Sequence, residues 1–280
     1  MRYSAQSEKD LINALLKQTS NKELKNLLRA YRKGGEFDSQ RFKFVMALYK
    51  RATYHEDLLA TKANADFLED PRFQEAYMAA ASISNWGRSI RWRVYNLIKF
   101  AGVALGLEGD FVECGVDRGG MSLALLTYHS QVLPSRQLWL FDTFEGIFYE
   151  QMNEVEREKS PFVKKSYKDR YPPIYDEVCR TFSGYSNVQI IPGTIPETLD
   201  KFSGQKVAFL HIDMNVAYPE VKVLEYFWPY ITHGGVIVLD DYGFPSHFEQ
   251  KKAMDDCAKR LGTEIILQPT GQGLIIKQKK

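Results

Sequence analysis

The sequence has few of the residues that mark disulfide-bonded, zinc-binding or low-complexity proteins. Its 280 residues hold 3 cysteines, Cys114, Cys179 and Cys257, and no two of them form a C-x-x-C pair. An odd number without that spacing disfavours a disulfide scaffold and a structural zinc site, and it favours the reducing cytoplasm. With only 19 glycines and 11 prolines, low-complexity linkers are not expected either.

Long apolar runs and a charge of one sign are also lacking. No stretch approaches 18 uncharged apolar residues, and the first ten residues hold no apolar core, so we expect neither a membrane span nor a secretory signal. Lys and Arg number 37 against 35 Asp and Glu, a net charge of +2, which gives no global reason to expect nucleic acid as a partner. The composition is that of a soluble globular protein.

Two regions differ in charge and in hydrophobic period. Residues 1–105 carry 18 Lys and Arg against 11 Asp and Glu, a net +7, whereas residues 106–280 carry 19 against 24, a net −5. Apolar residues recur at helical spacing in the first region, with long stretches over about 41–68 and 73–107. This predicts a helical extension that covers the second domain or mediates self-association, as a homodimer or higher oligomer.

The second region, residues 106–280, alternates short apolar runs with helical segments. Five runs are continuous rather than alternating, which predicts strands buried on both faces of a parallel sheet: 111–115, 138–141, 188–191, 207–212 and 236–239. Two further runs, 264–267 and 274–276, are joined by a short turn and predict a terminal antiparallel hairpin. The predicted fold is a doubly wound α/β sheet. A polar insertion with aromatic residues, about 145–173, reads as a lid or as a plain surface helix.

Glycines and an acid follow the first two predicted strands. Gly115, Gly119 and Gly120 lie in a strand-to-helix turn, where the backbone can approach a ligand closely, although a tight turn alone would also explain them. Asp142 ends the second strand, where a carboxylate can accept hydrogen bonds from ribose hydroxyls or can cap a helix. Together these features suggest a ligand that contains adenosine.

Three acids end later strands. Asp213 closes the fourth strand, and Asp240 and Asp241 close the fifth. Because parallel strands bring their carboxyl ends together, the three carboxylates should converge and bind Mg²⁺, Mn²⁺ or Ca²⁺. The alternative is that one acid caps a helix and another pairs with Arg or Lys.

Several motifs in this order resemble the macrocin-type (TylF-like) O-methyltransferases, from about Trp86 to Lys277. They are Glu113-Cys114-Gly115-Val116 with Gly119-Gly120, Phe141 to Gly146, Gly193-Thr194, Leu210 to Met214, and Gly234 to Gly243. Members of that family are class I enzymes that use S-adenosylmethionine (SAM) and Mg²⁺, and their typical substrates are sugar hydroxyls on natural products.

The resemblance implies a role for each matching residue. The turn from Gly115 to Gly120 would hold the methionine part of SAM, Asp142 would bind the ribose, and the segment around Thr194 would border the adenine. The implied cofactor-binding set is Glu113, Gly115, Val116, Gly119, Gly120, Ser122, Asp142, Thr143, Gly193, Thr194 and Asp213. Asp213, Asp240 and Asp241 would hold Mg²⁺ or Mn²⁺, and the cation would acidify a hydroxyl that lies beside a second oxygen.

One position departs from the family pattern. The family commonly has Asp-x-Asp-x-Tyr after the fourth strand, and here Asn215 stands at the second acid, which is a candidate general base. Asn cannot accept a proton at neutral pH. We therefore consider Asp213 and His247 as catalytic candidates, with His247 as the base, although a surface or capping histidine is the plainer interpretation.

The alternatives remain a catechol-like acceptor, a non-catalytic SAM-binding scaffold, and a nicotinamide-dependent oxidoreductase. The glycine spacing, the three acids and the terminal hairpin disfavour the oxidoreductase. His211 shares strand parity with Asp213 and is expected to be a hydrogen-bonded core residue, and Cys114 to be core filling.

Overall fold

The computed structural model describes residues 52–57, 59–86, 88–159 and 173–279. Within the stretch predicted as helix over 41–68, the chain instead forms two short strands, Tyr54–Glu56 (β1) and Leu59–Thr61 (β2). That helix prediction is wrong there, because Asp57 adopts a left-handed φ of 48° and the Thr53 amide donates to the Thr61 carbonyl at 2.9 Å. Residues 41–51, and with them most of the predicted extension, lie outside the described residues.

The periodic stretch predicted over 73–107 consists of two helices, Pro71–Ile83 (α1) and Arg91–Ala104 (α2). Asp70 caps α1 by accepting from the Arg72 amide at 2.9 Å. Ser84 ends it in an extended conformation, and its Oγ donates to the Ala80 carbonyl at 2.8 Å. The segment Ser84–Ile90, defined here as the interhelical segment, separates the two helices.

The sheet is built from seven strands. They are β3 (Asp110–Cys114), β4 (Leu138–Asp142), β5 (Val188–Pro192), β6 (Val207–Ile212), β7 (Ile231–Leu239), β8 (Ile266–Leu267) and β9 (Gly273–Ile276). Their spatial order is β5-β4-β3-β6-β7-β9-β8, parallel from β5 to β7 and antiparallel between β7 and β9. The predicted doubly wound sheet with an antiparallel last strand is confirmed.

The remaining helices connect these strands. They are α3 (Gly120–Tyr128), α4 (Glu154–Lys159), α5 (Tyr175–Phe182), α6 (Ala217–Phe227) and α7 (Phe248–Leu261). In the part of the chain with described coordinates, none of the helices has the length and apolar character needed to cross a membrane. Of the predicted lid, 145–173, the described part holds α4 and a short 3₁₀ turn at Tyr149–Gln151.

The central strands are buried on both faces, as continuous apolar runs predict. Every residue of β6 is buried, and so is all of β3 after Asp110. Cys114 is fully buried in this core, as expected. From β3 the chain adds β4 and β5 on one side, and β6 and β7 on the other. The strand order therefore reverses between β3 and β6, and ligands of open α/β sheets bind in the crevice at such a reversal.

Candidate functional site

The turn after β3 comes closer to a neighbouring strand than any side chain would allow. Gly115 has a φ of 87°, and a Cβ built there would overlap the carbonyl oxygen of Asp213. Gly119 has a φ of 84°, precedes α3, and would overlap the Phe182 ring. Both positions need glycine, because other residues rarely adopt this backbone and would have no room. The turn thus places the start of α3 beside the end of β6.

A cavity of about 570 Å³ opens at this edge of the sheet. Its volume lies within the range of small-molecule sites. The glycine turn and the ends of the strands line it, including Gly115, Asp142, Asp213 and Asp240. Residues of the interhelical segment, Arg93 and residues 244–247 line it as well.

Asp142 ties the glycine turn to the end of β4. Its Oδ2 accepts from the amides of Val116 at 2.6 Å and Asp117 at 2.9 Å, and its Oδ1 accepts from the Phe144 amide at 2.7 Å. Burial raises the pKa of Asp142, and these three amide hydrogen bonds oppose that rise. The Thr143 hydroxyl lies 3.3 Å from Oδ1 of Asp142 and 2.6 Å from the Gly146 carbonyl. When its single proton is donated to Gly146, one of the about four lone-pair sites of the carboxylate is left for a ligand hydroxyl. This acceptor and the cavity fit an adenosine-containing ligand.

Arg93 of α2 contacts two of the three predicted metal-binding acids. Its Nη2 donates to the side chain of Asp240, to the Asp240 carbonyl at 3.1 Å, and to Oδ1 of Asp241 at 2.9 Å. Burial would raise the pKa of Asp240, but the charges of Arg93 and His211 outweigh it and hold that pKa well below its usual range. The arginine therefore provides a counter-charge that the motif analysis missed.

Among the described residues, no cationic side chain forms an ion pair with Asp213, in contrast to Asp240 and Asp241. Burial, together with the charges of Asp240 and Asp241, raises the pKa of Asp213 well above its usual value. Oδ1 of Asp213 accepts a hydrogen bond from the side-chain Nδ2 of Asn215 at 3.4 Å. An acid in this state is stabilised by a cation, so Asp213 has the chemistry of a metal ligand.

Asn215 joins Asp213 to His247. The Nε2 of His247 lies 3.2 Å from the side-chain oxygen of Asn215 and 3.9 Å from Oδ2 of Asp241. Its Nδ1 lies 2.9 Å from the hydroxyl of Ser246. Burial lowers the pKa of His247, which favours the neutral ring. The structure thus brings the predicted base to the position where the family pattern has an acid.

Two buried side chains support these residues from within the fold. Nδ1 of His211 lies 2.9 Å from Oε1 of Glu113, whose Oε2 accepts from the Ser122 hydroxyl. Burial would lower the pKa of His211, but the carboxylates of Asp240 and Glu113 raise it to about 10. Ligand atoms of His211, Asp213 and Asp240 all lie within 4.8 Å of one another, so the charge of this histidine lies next to the acid cluster.

The structure brings most of the predicted site residues to one cavity. All of the catalytic and metal candidates line it, as do eight of the eleven cofactor candidates. The other three contact protein groups instead: Gly119 faces Phe182, Ser122 donates to Glu113, and the Thr194 carbonyl accepts from the Thr198 amide.

The sequence reasoning missed the contribution of the residues before 106. Ser84, Asn85, Trp86, Arg88, Ile90 and Arg93 all line the cavity. Arg93 carried a readable signal, because it lies on the same helical stripe as the buried residues Ile90, Leu97 and Ala101. A cation on an apolar stripe is rarely buried without a partner. The interhelical segment itself has no such pattern.

Comparison with known proteins identifies the family. A model of the family described as macrocin-O-methyltransferase (TylF) matches residues 10–264. One curated relative, 8-demethyl-8-(2,3-dimethoxy-alpha-L-rhamnosyl)-tetracenomycin-C 4'-O-methyltransferase from Streptomyces olivaceus, is 28% identical over 151 residues, covering 50% of this chain and 55% of the relative. Mycinamicin III 3''-O-methyltransferase from Micromonospora griseorubida is 26% identical over 152 residues, covering 50% and 58%. The chain thus spans just over half the length of the curated relatives it matches.

Two solved structures share the fold. The O-methyltransferase NovP is 24% identical with a TM-score of 0.57, over 67% of this chain and 80% of that one. CalS11, a calicheamicin methyltransferase, is 18% identical with a TM-score of 0.55, over 88% and 96%. These similarities confirm the predicted class I methyltransferase sheet. With the family match over most of the chain, they show that the protein belongs to the macrocin O-methyltransferase (TylF) family.

Proposed function

We propose that this protein transfers a methyl group from SAM to a hydroxyl that lies beside a second oxygen on a sugar or glycosylated natural product. The observation that carries the proposal is that the glycine turn, Asp142 and the acid cluster line one cavity at the strand reversal. The names of the curated relatives favour a glycosylated acceptor over a catechol-like one.

The strand ends and the glycine turn are assigned to the cofactor. Gly115 and Val116 lie against the methionine part, and the remaining lone pair of Asp142 accepts from one ribose hydroxyl. Gly193 and Ile195, which also line the cavity, border the adenine.

The interhelical segment and residues 244–247 are assigned to the acceptor. When bound, SAM supplies an electrophilic methyl group and a divalent cation lowers the pKa of the hydroxyl it holds. In the proposed reaction the acceptor oxygen would form a bond to the methyl carbon as the carbon–sulfur bond breaks, with S-adenosylhomocysteine as the leaving group. His247 takes the hydroxyl proton at Nε2 while Nδ1–H donates to Ser246, and the side-chain oxygen of Asn215 then accepts the new N–H.

Calorimetric titration of the purified protein with SAM, with and without the substitution Asp142→Asn, tests the cofactor assignment. In the variant, a neutral side-chain amide replaces the carboxylate that accepts from the backbone N–H groups of Val116 and Asp117 and, as proposed, from the ribose. We therefore expect SAM affinity to fall about 10- to 100-fold, as for one or two lost hydrogen bonds to a charged group. The exposed Asp200→Asn is the matched control and should bind like the wild type. Absence of SAM binding by the wild type would refute the proposal.

Asn215 also favours a second candidate function, a SAM-binding scaffold without methyl transfer. An amide at the family's acid position is what loss of the base would leave. Incubation with SAM and a panel of glycosides and catechols distinguishes the two functions. An enzyme releases S-adenosylhomocysteine, whereas a scaffold does not. Methylation by the wild type that is lost in His247→Asn supports the enzyme, whereas activity that arises only in Asn215→Asp supports the scaffold.

A further inference from the structure

Arg88 and Arg93 both line the cavity, but they differ in how much of their charge is already paired. The Arg93 side chain is 7% exposed and pairs with the two acids that follow β7 and with Asp57. The side chain of Arg88, in the interhelical segment, is 53% exposed. Its partners among the described residues are Asp57 and the ring of Phe244. Arg88 is therefore the arginine of the cavity that can still bind an anion.

The carboxylate that holds Arg88 is buried. The Asp57 side chain is 4% exposed, and its Oδ1 lies 2.6 Å from Nε of Arg88. Its other oxygen lies 3.5 Å from Nη1 of Arg93. A guanidinium has five N–H donors in a planar fork. One carboxylate shared between two arginines does not occupy all of these donors, so N–H groups of the half-exposed Arg88 are left for a ligand.

The ring of Phe244 supports both arginines. The guanidinium carbon of Arg93 lies 4.8 Å from the centre of this ring, and that of Arg88 lies 5.9 Å from it. Arg93 also contacts Asp240 and Asp241, so Arg88 lies close to the acid cluster. A hydroxyl held at the acid cluster and a group held by Arg88 can therefore belong to one sugar residue or to two neighbouring ones.

The restricted position of Arg88 favours a binding role over that of an ordinary surface arginine. A free arginine side chain loses conformational entropy when it binds, and this cost weakens the complex. Asp57 and Phe244 restrict Arg88 before any ligand arrives. A planar guanidinium matches the paired oxygens of a carboxylate or a phosphate. An oxyanion is therefore the chemistry that this position recognises.

We propose that Arg88 binds a carboxylate or phosphate group on the sugar that is methylated or on the residue next to it. This inference rests on the proposed function and narrows its acceptor to an acidic or phosphorylated glycoside. Both sources present the same chemistry, oxygens that share a negative charge. Asp57 is then the positioning residue of this subsite, since it contacts Arg88 and not the ligand.

Calorimetric titration of the full-length protein with glucuronate, glucose 1-phosphate and the neutral methyl glucoside tests the subsite. S-adenosylhomocysteine and Mg²⁺ are present, so that the charge of the acid cluster is neutralised. We expect at least one of the anions to bind about tenfold or more tightly than methyl glucoside, as for one or two hydrogen bonds to a charged group. Arg88→Gln should abolish this preference. The matched control is Arg260→Gln, which removes an arginine of similar exposure, 56%, that is paired with Glu225, and it should keep the preference.

Modification of the wild type with phenylglyoxal gives a second readout, which stays valid if Arg88→Gln does not fold. Mass spectrometry of the modified protein reports how fast each arginine reacts. Glucuronate or glucose 1-phosphate should slow the modification of Arg88 severalfold, whereas methyl glucoside should not. The modification of Arg260 should be the same with all three sugars.

The two anions separate the sources of the charge, because a preference for glucuronate assigns a carboxylate and a preference for glucose 1-phosphate assigns a phosphate. Equal affinity for all three sugars, or no binding of any, would overturn the subsite and leave the proposed function standing if S-adenosylhomocysteine binds. A preference that survives in Arg88→Gln, without protection of Arg88 in the wild type, would assign the anion to the metal ion and leave Arg88 as a counter-charge of Asp57. A wild type that prefers the anions but binds no S-adenosylhomocysteine would keep the subsite and refute the proposed function.

Discussion

Two single residues, Arg93 and Glu220, determine how the acids around the cavity are held. Arg93 is buried against Asp240 and Asp241, and Glu220 is buried under the loop that carries Asp213 and Asn215. Oε1 of Glu220 accepts from the amides of Met214 and Asn215, both at 3.2 Å, and from Gln250 at 2.7 Å. Asn215 has a left-handed φ of 61°, so these bonds support a backbone that the residue would rarely adopt alone.

The substitution Glu220→Gln should change how stability depends on pH. Burial, with the charge of Asp241, raises the pKa of Glu220 from 4.5 to about 8 in the folded protein. The folded state then binds this proton more tightly than the unfolded state, so the wild type loses stability as pH rises from about 4.5 to about 8. The glutamine does not titrate and should lack that loss.

Thermal unfolding between pH 5 and pH 8, in the presence of a chelator, measures this effect. The melting temperature of Glu220→Gln should rise relative to the wild type as pH increases, whereas the exposed Glu197→Gln should follow the wild type. Equal pH profiles for the wild type and Glu220→Gln would show that Glu220 is ionised in the fold at neutral pH.

At this scale the sequence could identify residues that follow strands but could not identify their partners. Asp213, Asp240 and Asp241 were predictable because strand ends converge in a parallel sheet. Arg93 and Gln272 come from a distant helix and from the antiparallel strand β9, and only the tertiary packing brings them to Asp240. Whether such an acid binds a metal ion or pairs with an arginine side chain depends on these tertiary contacts.

The interhelical segment is the element that most affects the cavity. Ser84 and Trp86 lie against the first residue of α3, where a Cβ built on Gly120 would overlap Ser84 Oγ and come within 3.1 Å of the Trp86 ring. Gly120 has an ordinary helical backbone, so this close contact is what requires glycine there. The segment therefore packs directly on the start of α3, next to the glycine turn.

The substitution Gly120→Ala should push the interhelical segment away from α3. We expect a loss of about 1–3 kcal/mol in the free energy of unfolding, as for other overpacked sites. Ser84→Gly in the same chain removes the overlapping atoms and should recover part of the loss. Gly184→Ala, where a Cβ would meet nothing within 4 Å, is the control.

Denaturant unfolding of the four proteins measures these differences. If Gly120→Ala is no less stable than Gly184→Ala, the segment is not packed on α3 as described. If Ser84→Gly does not restore stability in the Gly120→Ala background, the Ser84 side chain is not what limits the space at position 120.

At the level of elements, the buried strands and the helical character of 73–107 were predictable, whereas the break between the first two helices and the hairpin before them were not. Continuous apolar runs identify β3, β4 and β6 because both of their faces are covered. Helical spacing over 41–68 failed in part because Thr53, Asp57 and Thr61 stabilise a hairpin through backbone contacts that periodicity does not register. Apolar spacing also could not show that the stretch over 73–107 is two helices, because two consecutive helices have the same period as one long helix.

For the whole molecule, the sequence predicts self-association through residues 1–105, which carry a net +7 against −5 for the remainder. Opposite charges on two regions favour contact between copies of the chain. Light scattering should give a mass of at least twice 32.3 kDa. Removal of residues 1–51 should lower it, and a full-length mass near 32.3 kDa would contradict the prediction.

The doubly wound class of the sheet and its antiparallel end were predictable because alternating strands and helices allow few arrangements. The order of the strands, and with it the place of the reversal, comes from the structure. The contribution of residues 84–93 to the cavity could not be predicted either, since they precede the sheet by sequence and contain no motif.

The lining of the cavity combines segments that differ in their freedom to change. The residues proposed to bind SAM lie at strand ends and in a glycine turn, where register, burial or a missing Cβ constrains them. The interhelical segment and residues 244–247 lie outside the seven-stranded sheet. Under the proposed function, new acceptors would be acquired by exchanging these short segments, while the residues proposed to bind SAM would stay unchanged.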